Sequence, residues 1–221
     1  MLAPLALNVS FWSDQFVNGL TTGSLYALIA LGYTMVYGVL KMINFAHGEV
    51  FMLGSFAGYG ALVAMGGNDL SGPVVALAIL GAIIVAMSAS VSASVVIERL
   101  AYRPLRNAPR LAPLISAIGV SIFLQYLVLD QTSARAKFYP DIFPRGQLSA
   151  GPFSITYIQL FLILCSIAMM VVLTLIIQRT RLGRAIRAVA ENPTNASLMG
   201  VDVNRTIVFV FILGAAMAGV A

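Results

Sequence analysis

Charge is what this chain has least of. Of 221 residues, 10% are Asp, Glu, Lys or Arg and 60% are hydrophobic, with a mean hydropathy of +0.94. Soluble domains carry roughly a quarter charged residues, so this sequence cannot build a water-facing surface, and it reads as an integral membrane protein. The lone cysteine, Cys165, lies in an apolar run, which excludes an intrachain disulfide. The lone histidine, His47, has only Glu49 close by. That is too few ligands for a metal centre, and no nucleophile stands beside the two for covalent catalysis. No G-x-x-x-x-G-K-S/T segment occurs, so no phosphate-binding loop is present, and no cofactor is expected. Repeats, low-complexity tracts and a soluble domain are also missing. Met1 to Ser13 has no basic stretch or cleavage pattern, so no removable signal peptide is expected.

What the chain does have is apolar runs separated by arginines. Phe16 to Val39 is 24 residues without a charge, about 36 Å as a helix against a hydrocarbon core of roughly 30 Å. Val50 to Met65 gives 16 residues, about 24 Å and short of a crossing. Pro73 to Ile97, Leu111 to Leu129 and the 23 uncharged residues Ile155 to Ile177 follow, and Ile207 to Ala221 offers 15, too few to span. The expectation is a single all-α, polytopic transmembrane domain over 1–221 with about six hydrophobic segments, the last cut short.

Ten of the thirteen basic residues fall in 41–49, 98–110 and 178–206. By the positive-inside rule those loops face the cytoplasm, the N-terminus and the loops near 66–72 and 130–154 face outward, and the protein sits in the bacterial cytoplasmic membrane, its surroundings lipid. The formal charge of +5 is spread between apolar runs rather than over one soluble face, so nucleic acid is not an expected partner. The serines at 88, 90, 92 and 94 read as helix-packing residues, and Gln125 as a hydrogen-bonding partner for another helix.

The loop 178–206 is the longest polar interruption after residue 150. Four arginines, Arg179, Arg181, Arg184 and Arg187, fall within nine positions, while Leu182, Ile186 and Val189 keep one helix face apolar. Asn192-Pro193 reads as an N-cap with proline in the first turn and Gly200 as the residue past the end, which predicts a short helix over Pro193 to Met199. Asp202 or Asn204 would cap the next span. Such a helix either docks into a groove on a soluble partner, with Ala196 and Gly200 allowing close approach, or belongs to an ordinary basic loop.

Two further places stand out. The first span opens with Asn18, Gly19, Thr21, Thr22, Gly23 and Ser24, and the G-x-x-x-G spacing lets another helix come near. Between the first and second runs, Asn44, His47 and Glu49 gather beside Gly48. A short or interrupted segment points to a broken helix at a transport route, and an ionisable group at membrane depth is expensive and kept for function, whereas the same group at the interface means little. Asn18, Thr21, Thr22, Ser24, Asn44, His47 and Glu49 are therefore the candidate pathway residues.

Asn18-Gly19-Leu20, the stretch Gly23 to Gly38, and Ile43-Asn44-Phe45-Ala46-His47-Gly48-Glu49 resemble the N-terminal signature of the branched-chain amino acid permeases of ABC importers. Ala190-Glu191-Asn192-Pro193 and Ala196 to Val201 resemble the family's cytoplasmic coupling loop. The resemblance implies a permease for leucine, isoleucine and valine that itself lacks ATPase activity. It implies two ATP-binding subunits, a second related permease and an extracytoplasmic substrate-binding protein as partners, with Glu191, Asn192, Pro193, Ala196, Ser197 and Gly200 as coupling residues. Family members continue beyond residue 221, so the chain looks C-terminally incomplete. The same N-terminal motif serves permeases for urea and short amides, which leaves the substrate open; a stand-alone channel or secondary transporter would have no use for a docking helix at Pro193.

Overall fold

The protein is described from a computed structural model, over residues 9–70, 72–106, 108–109, 111–132, 135, 137–142, 146–151 and 153–221. Among these residues eight α-helices form the bundle: α1 (Val9–Leu40), α2 (His47–Ala64), α3 (Val74–Ile97), α4 (Leu111–Thr132), α5 (Tyr157–Arg179), α6 (Arg181–Glu191), α7 (Pro193–Leu198) and α8 (Val203–Val220). The outer connector adds a two-stranded antiparallel hairpin, β1 (Gln147–Ala150) with β2 (Phe153–Thr156), Gln147 opposite Thr156. Among the described residues five helices are long and apolar enough to cross a membrane, and α2 is not one of them.

Several boundaries differ from the sequence expectation, each for a local reason. The last span is not too short to cross: Asp202 caps Arg205 N at 3.0 Å, so α8 begins at Val203, takes Asn204 and Arg205 into its first turn and reaches 18 residues. The third span does not end at Ile97 either, because the backbone continues as a π-turn, Glu98–Tyr102, that carries both of those side chains into the core. The short helix stops at Leu198 rather than Met199, with Asn192 accepting from Asn195 N and Gly200 at φ +83°, which closes the turn as expected. The parts of the sequence reading that fall on 1–8, Arg110, Pro144, Arg145 and Pro152 lie outside the described residues.

Lipid is as apolar as leucine, so helices in a membrane gain little from hiding apolar surface from one another and associate through close packing and hydrogen bonds. That explains the stripe Ala78, Ala82, Ala86, Ser90, Ser94 on α3, one small residue per turn and all buried. It faces Val50, Gly54, Gly58 and Leu62 on α2, spaced the same way. A methyl on Gly54 would run into Ser90 Oγ and come within 3.2 Å of Ala86 O. Ser90 donates to Val50 O at 3.0 Å and Ser94 to Phe211 O at 3.2 Å, bonds worth about 0.6 kcal/mol each. Ser88 and Ser92 are exposed, and Ser88 bonds only its own helix, so two of the four serines pack helices. On the other side of α8, Gly214 meets Gly32 of α1 so closely that a Cβ on either would lie 2.6 to 2.8 Å from the other's carbonyl. The G-x-x-x-G of Gly19 and Gly23 has no such neighbour: nothing described lies within 4 Å of either position.

This packing predicts unequal costs for glycine substitutions. Gly54→Val should lower stability by about 1–3 kcal/mol through overpacking, seen as an earlier thermal unfolding transition in detergent. Gly60→Ala, where a Cβ meets nothing within 4 Å, should leave it unchanged or raise it by up to about 1 kcal/mol.

Candidate functional site

The chain leaves helical geometry at Lys41, whose φ is +54°, and re-enters it at His47. The intervening backbone is held by Asn44. Its carbonyl accepts from His47 N at 3.2 Å, and its side-chain Oδ1 accepts from Ala46 N at 3.1 Å and from the Tyr102 hydroxyl at 2.6 Å. Asparagine suits this position because its side chain mimics a backbone turn. Tyr102 comes from the π-turn after α3, and its ring stacks at a tilt on Phe211 of α8, centroids 5.5 Å apart.

His47 and Glu49 occupy the first turn of α2, and both are buried. Two residues apart on a helix, they do not face each other. His47 lies edge-on to Tyr33, centroids 5.9 Å apart, with Nε2 about where a side chain on Gly32 would be. Glu49 points to α4 and accepts from Gln125 Nε2 at 2.6 Å. His47 Nε2 and Glu49 Oε2 have no hydrogen-bond partner among the described residues. Gly32 is eight residues before the end of α1, about 12 Å along its axis, so His47 packs against α1 about two turns in from its end. Gln125 behaves as expected, bonding another helix.

The remaining candidates from α1 are elsewhere. Asn18 accepts from Gln159 Nε2 at 2.8 Å, which ties the outer ends of α1 and α5. Thr21 and Ser24 donate to carbonyls of their own helix, Val17 O and Thr21 O, and Thr22 is exposed. Asn18 is 14 residues from Gly32, about 21 Å along α1, so the two halves of the expected pathway do not meet within this chain. None of the seven candidates lines the cavity of about 400 Å³ in the outer half of the bundle.

A group that the sequence reading placed in a cytoplasmic loop forms an inner knot. Glu98, 0% exposed, is ion-paired with Arg106, whose Nη1 donates to Asn204 Oδ1 at 2.5 Å. The π-turn and the first turn of α8 are thereby tied together. Burial lowers the Arg106 pKa from its ordinary value and Glu98 opposes it; a guanidinium stays charged regardless. The signal for Glu98 was available, since it continues the four-residue spacing of Ser90 and Ser94.

Beside this knot lies the turn formed by α6 and α7. Ile186 and Val189 of α6 are buried, as the apolar face predicted, while Leu182 is half-buried. Ala196 is 4% exposed and belongs to the same core cluster as Val210 and Phe211. Among the nominated coupling residues, Ala196 is thus an anchor that faces inward, whereas Glu191, Asn192, Pro193, Ser197 and Gly200 are exposed. Sequence reasoning passed over Leu198 and Met199, which are 80% and 84% exposed. Two uncovered apolar side chains in a polar loop were the missed signal.

Comparison with known proteins adds the following. The model of a family described as branched-chain amino acid transport system / permease component matches residues 15–221. The chain is 49% identical over 214 residues to the high-affinity branched-chain amino acid transport system permease protein BraD of Pseudomonas aeruginosa, covering 94% of this chain and 68% of that one. It is 46% identical over 218 residues to the corresponding LivH protein of Escherichia coli K12, covering 96% and 69%. To the probable branched-chain amino acid transport permease protein LivH of Methanocaldococcus jannaschii it is 33% identical over 210 residues, covering 90% and 61%. No solved structure matches.

The inner knot predicts a contrast between two charged positions. Glu98→Ala strands a half-buried guanidinium and should cost about 3 kcal/mol, the low end for breaking a buried pair. Arg205→Ala, which breaks an exposed pair with Asp202, should change stability by no more than about 0.5 kcal/mol. Thermal unfolding of the two purified variants checks both.

Proposed function

The chain belongs to the branched-chain amino acid permease family, and from that membership we propose how it works: as the membrane-spanning subunit that couples ATP hydrolysis on partner subunits to inward movement of leucine, isoleucine and valine. It is a multi-pass protein of the inner membrane and a transport subunit. In this reading two ATP-binding subunits dock below, a second related permease lies alongside, and a substrate-binding protein delivers cargo from outside.

One observation carries the coupling reading. A six-residue helix, α7, is pinned from within by Ala196 and presents Leu198 and Met199 outward, nearly bare. Exposed apolar residues on a rigid mount are what a groove on a soluble subunit can grip. Only Met199 to Asp202 separate α7 from α8, so a push on α7 arrives at α8. From there it reaches Tyr102 through Phe211 and α1 through the Gly214–Gly32 contact. Both contacts border the helix break at Asn44 and His47. Closure of the ATP-binding subunits would thus shift the buried imidazole and carboxylate, whose incomplete hydrogen bonding supports a role in meeting a polar substrate in transit.

Replacing Leu198 and Met199 together by serine should reduce substrate-stimulated ATP hydrolysis by about tenfold or more, the effect of losing one interfacial hot spot, with membrane insertion intact. Unchanged stimulation would reject the docking role. His47→Ala and Glu49→Gln should each depress uptake of labelled leucine in reconstituted vesicles; normal uptake with normal affinity would leave those residues a packing role. Unlabelled valine should compete with that uptake and urea should not.

A further inference from the structure

The cavity of about 400 Å³ lies apart from the helix break and the turn formed by α6 and α7. It opens between α1, α2, α3, α5 and the end of α8, Ala218 to Ala221, roofed by Tyr139, Pro140 and Ile142 of the connector between α4 and α5. Its volume is that of a small-molecule site, roughly 300–1,000 Å³. Small residues make the space: Gly58, Ala82 and Ala86 line it where larger side chains would fill it, and Leu28, Phe161 and Leu162 supply apolar wall. Tyr139 is fixed above it, its hydroxyl donating to Ser55 O at 2.6 Å and its ring edge-on to Tyr59, centroids 5.9 Å apart.

The wall has one unanswered polar group. Ser166 of α5 is 2% exposed, and its hydroxyl has no hydrogen-bond partner among the described residues. A buried hydroxyl without a partner is destabilising, and none of the residues lining the cavity carries a charged side chain. An occupant that is branched and aliphatic over most of its length, with one end able to hydrogen-bond, answers both features.

We propose that this cavity is a transit site for the substrate on the outward side of the membrane: the branched side chain lies against Gly58, Ala82 and Ala86, and the polar end of the amino acid bonds Ser166. This rests on the transport reading above. An amino acid's two charges find no counter-charge on these walls, and burying them unpaired is expensive. Affinity is therefore low, so that the site fills only when substrate is in excess, which suits passage rather than capture.

The chain's only thiol, Cys165, also lines the cavity, which permits a direct test on the complete transporter in proteoliposomes. Modification of Cys165 by N-ethylmaleimide, followed by mass spectrometry of its peptide, should slow several-fold when substrate-binding protein, ATP and excess leucine are present, and should not slow with urea. Ser166→Ala should weaken that protection several-fold. Cys165→Phe, which fills the cavity, should reduce leucine uptake several-fold at normal membrane abundance. Vesicles that accumulate leucine while Cys165 is modified equally fast with and without it, or that retain full uptake with Cys165→Phe, overturn the transit site and leave the transport reading standing. Vesicles of the unsubstituted protein that take up no leucine overturn the transport reading, and this proposal with it.

Discussion

A helix broken inside a bilayer leaves peptide groups with no water to bond, and the break survives only if protein supplies the missing partners. Here the supplier is Asn44, accepting from the Ala46 and His47 amides that follow it and held in place by the Tyr102 hydroxyl. The position of Tyr102 follows from the π-turn that extends α3 inward, and that turn is secured in turn by Glu98, Arg106 and Asn204. Asn44, Tyr102, Glu98, Arg106 and Asn204 are thus linked through the π-turn, and His47 and Glu49 begin the helix that follows the turn they secure.

The rest of the bundle obeys a different economy. With no hydrophobic gain available between helices in lipid, contact depends on how near two backbones can come. Small residues spaced one per turn on α2 and α3, and the facing glycines of α1 and α8, allow that nearness. Some of the same small residues, Gly58, Ala82 and Ala86, also line the cavity under the connector.

α8 is the element that touches both regimes. Its first turn is tied into the inner knot through Asn204, its middle carries Phe211 against Tyr102, and Gly214 lies against α1. Through a short link it is also continuous with α7 and its exposed Leu198 and Met199. In the coupling we propose, a rigid helix with few ways to yield would transmit displacement; a flexible tether would absorb it.

From sequence alone came the membrane class, the capped helix at Pro193 and the family, because hydropathy, motif and cap chemistry are local and survive without a partner in view. Gly19 and Gly23 show the limit: the spacing was right for packing, but which helix arrives is a question of topology, and none of the described ones does. The facings of His47 and Glu49, the burial of Glu98 and Ala196, and the unpaired Ser166 could be decided only in three dimensions. Each depends on a residue far away in the chain, Gly32, Gln125, Arg106, Phe211, brought near by helix packing, and burial is a property of that neighbourhood rather than of the residue.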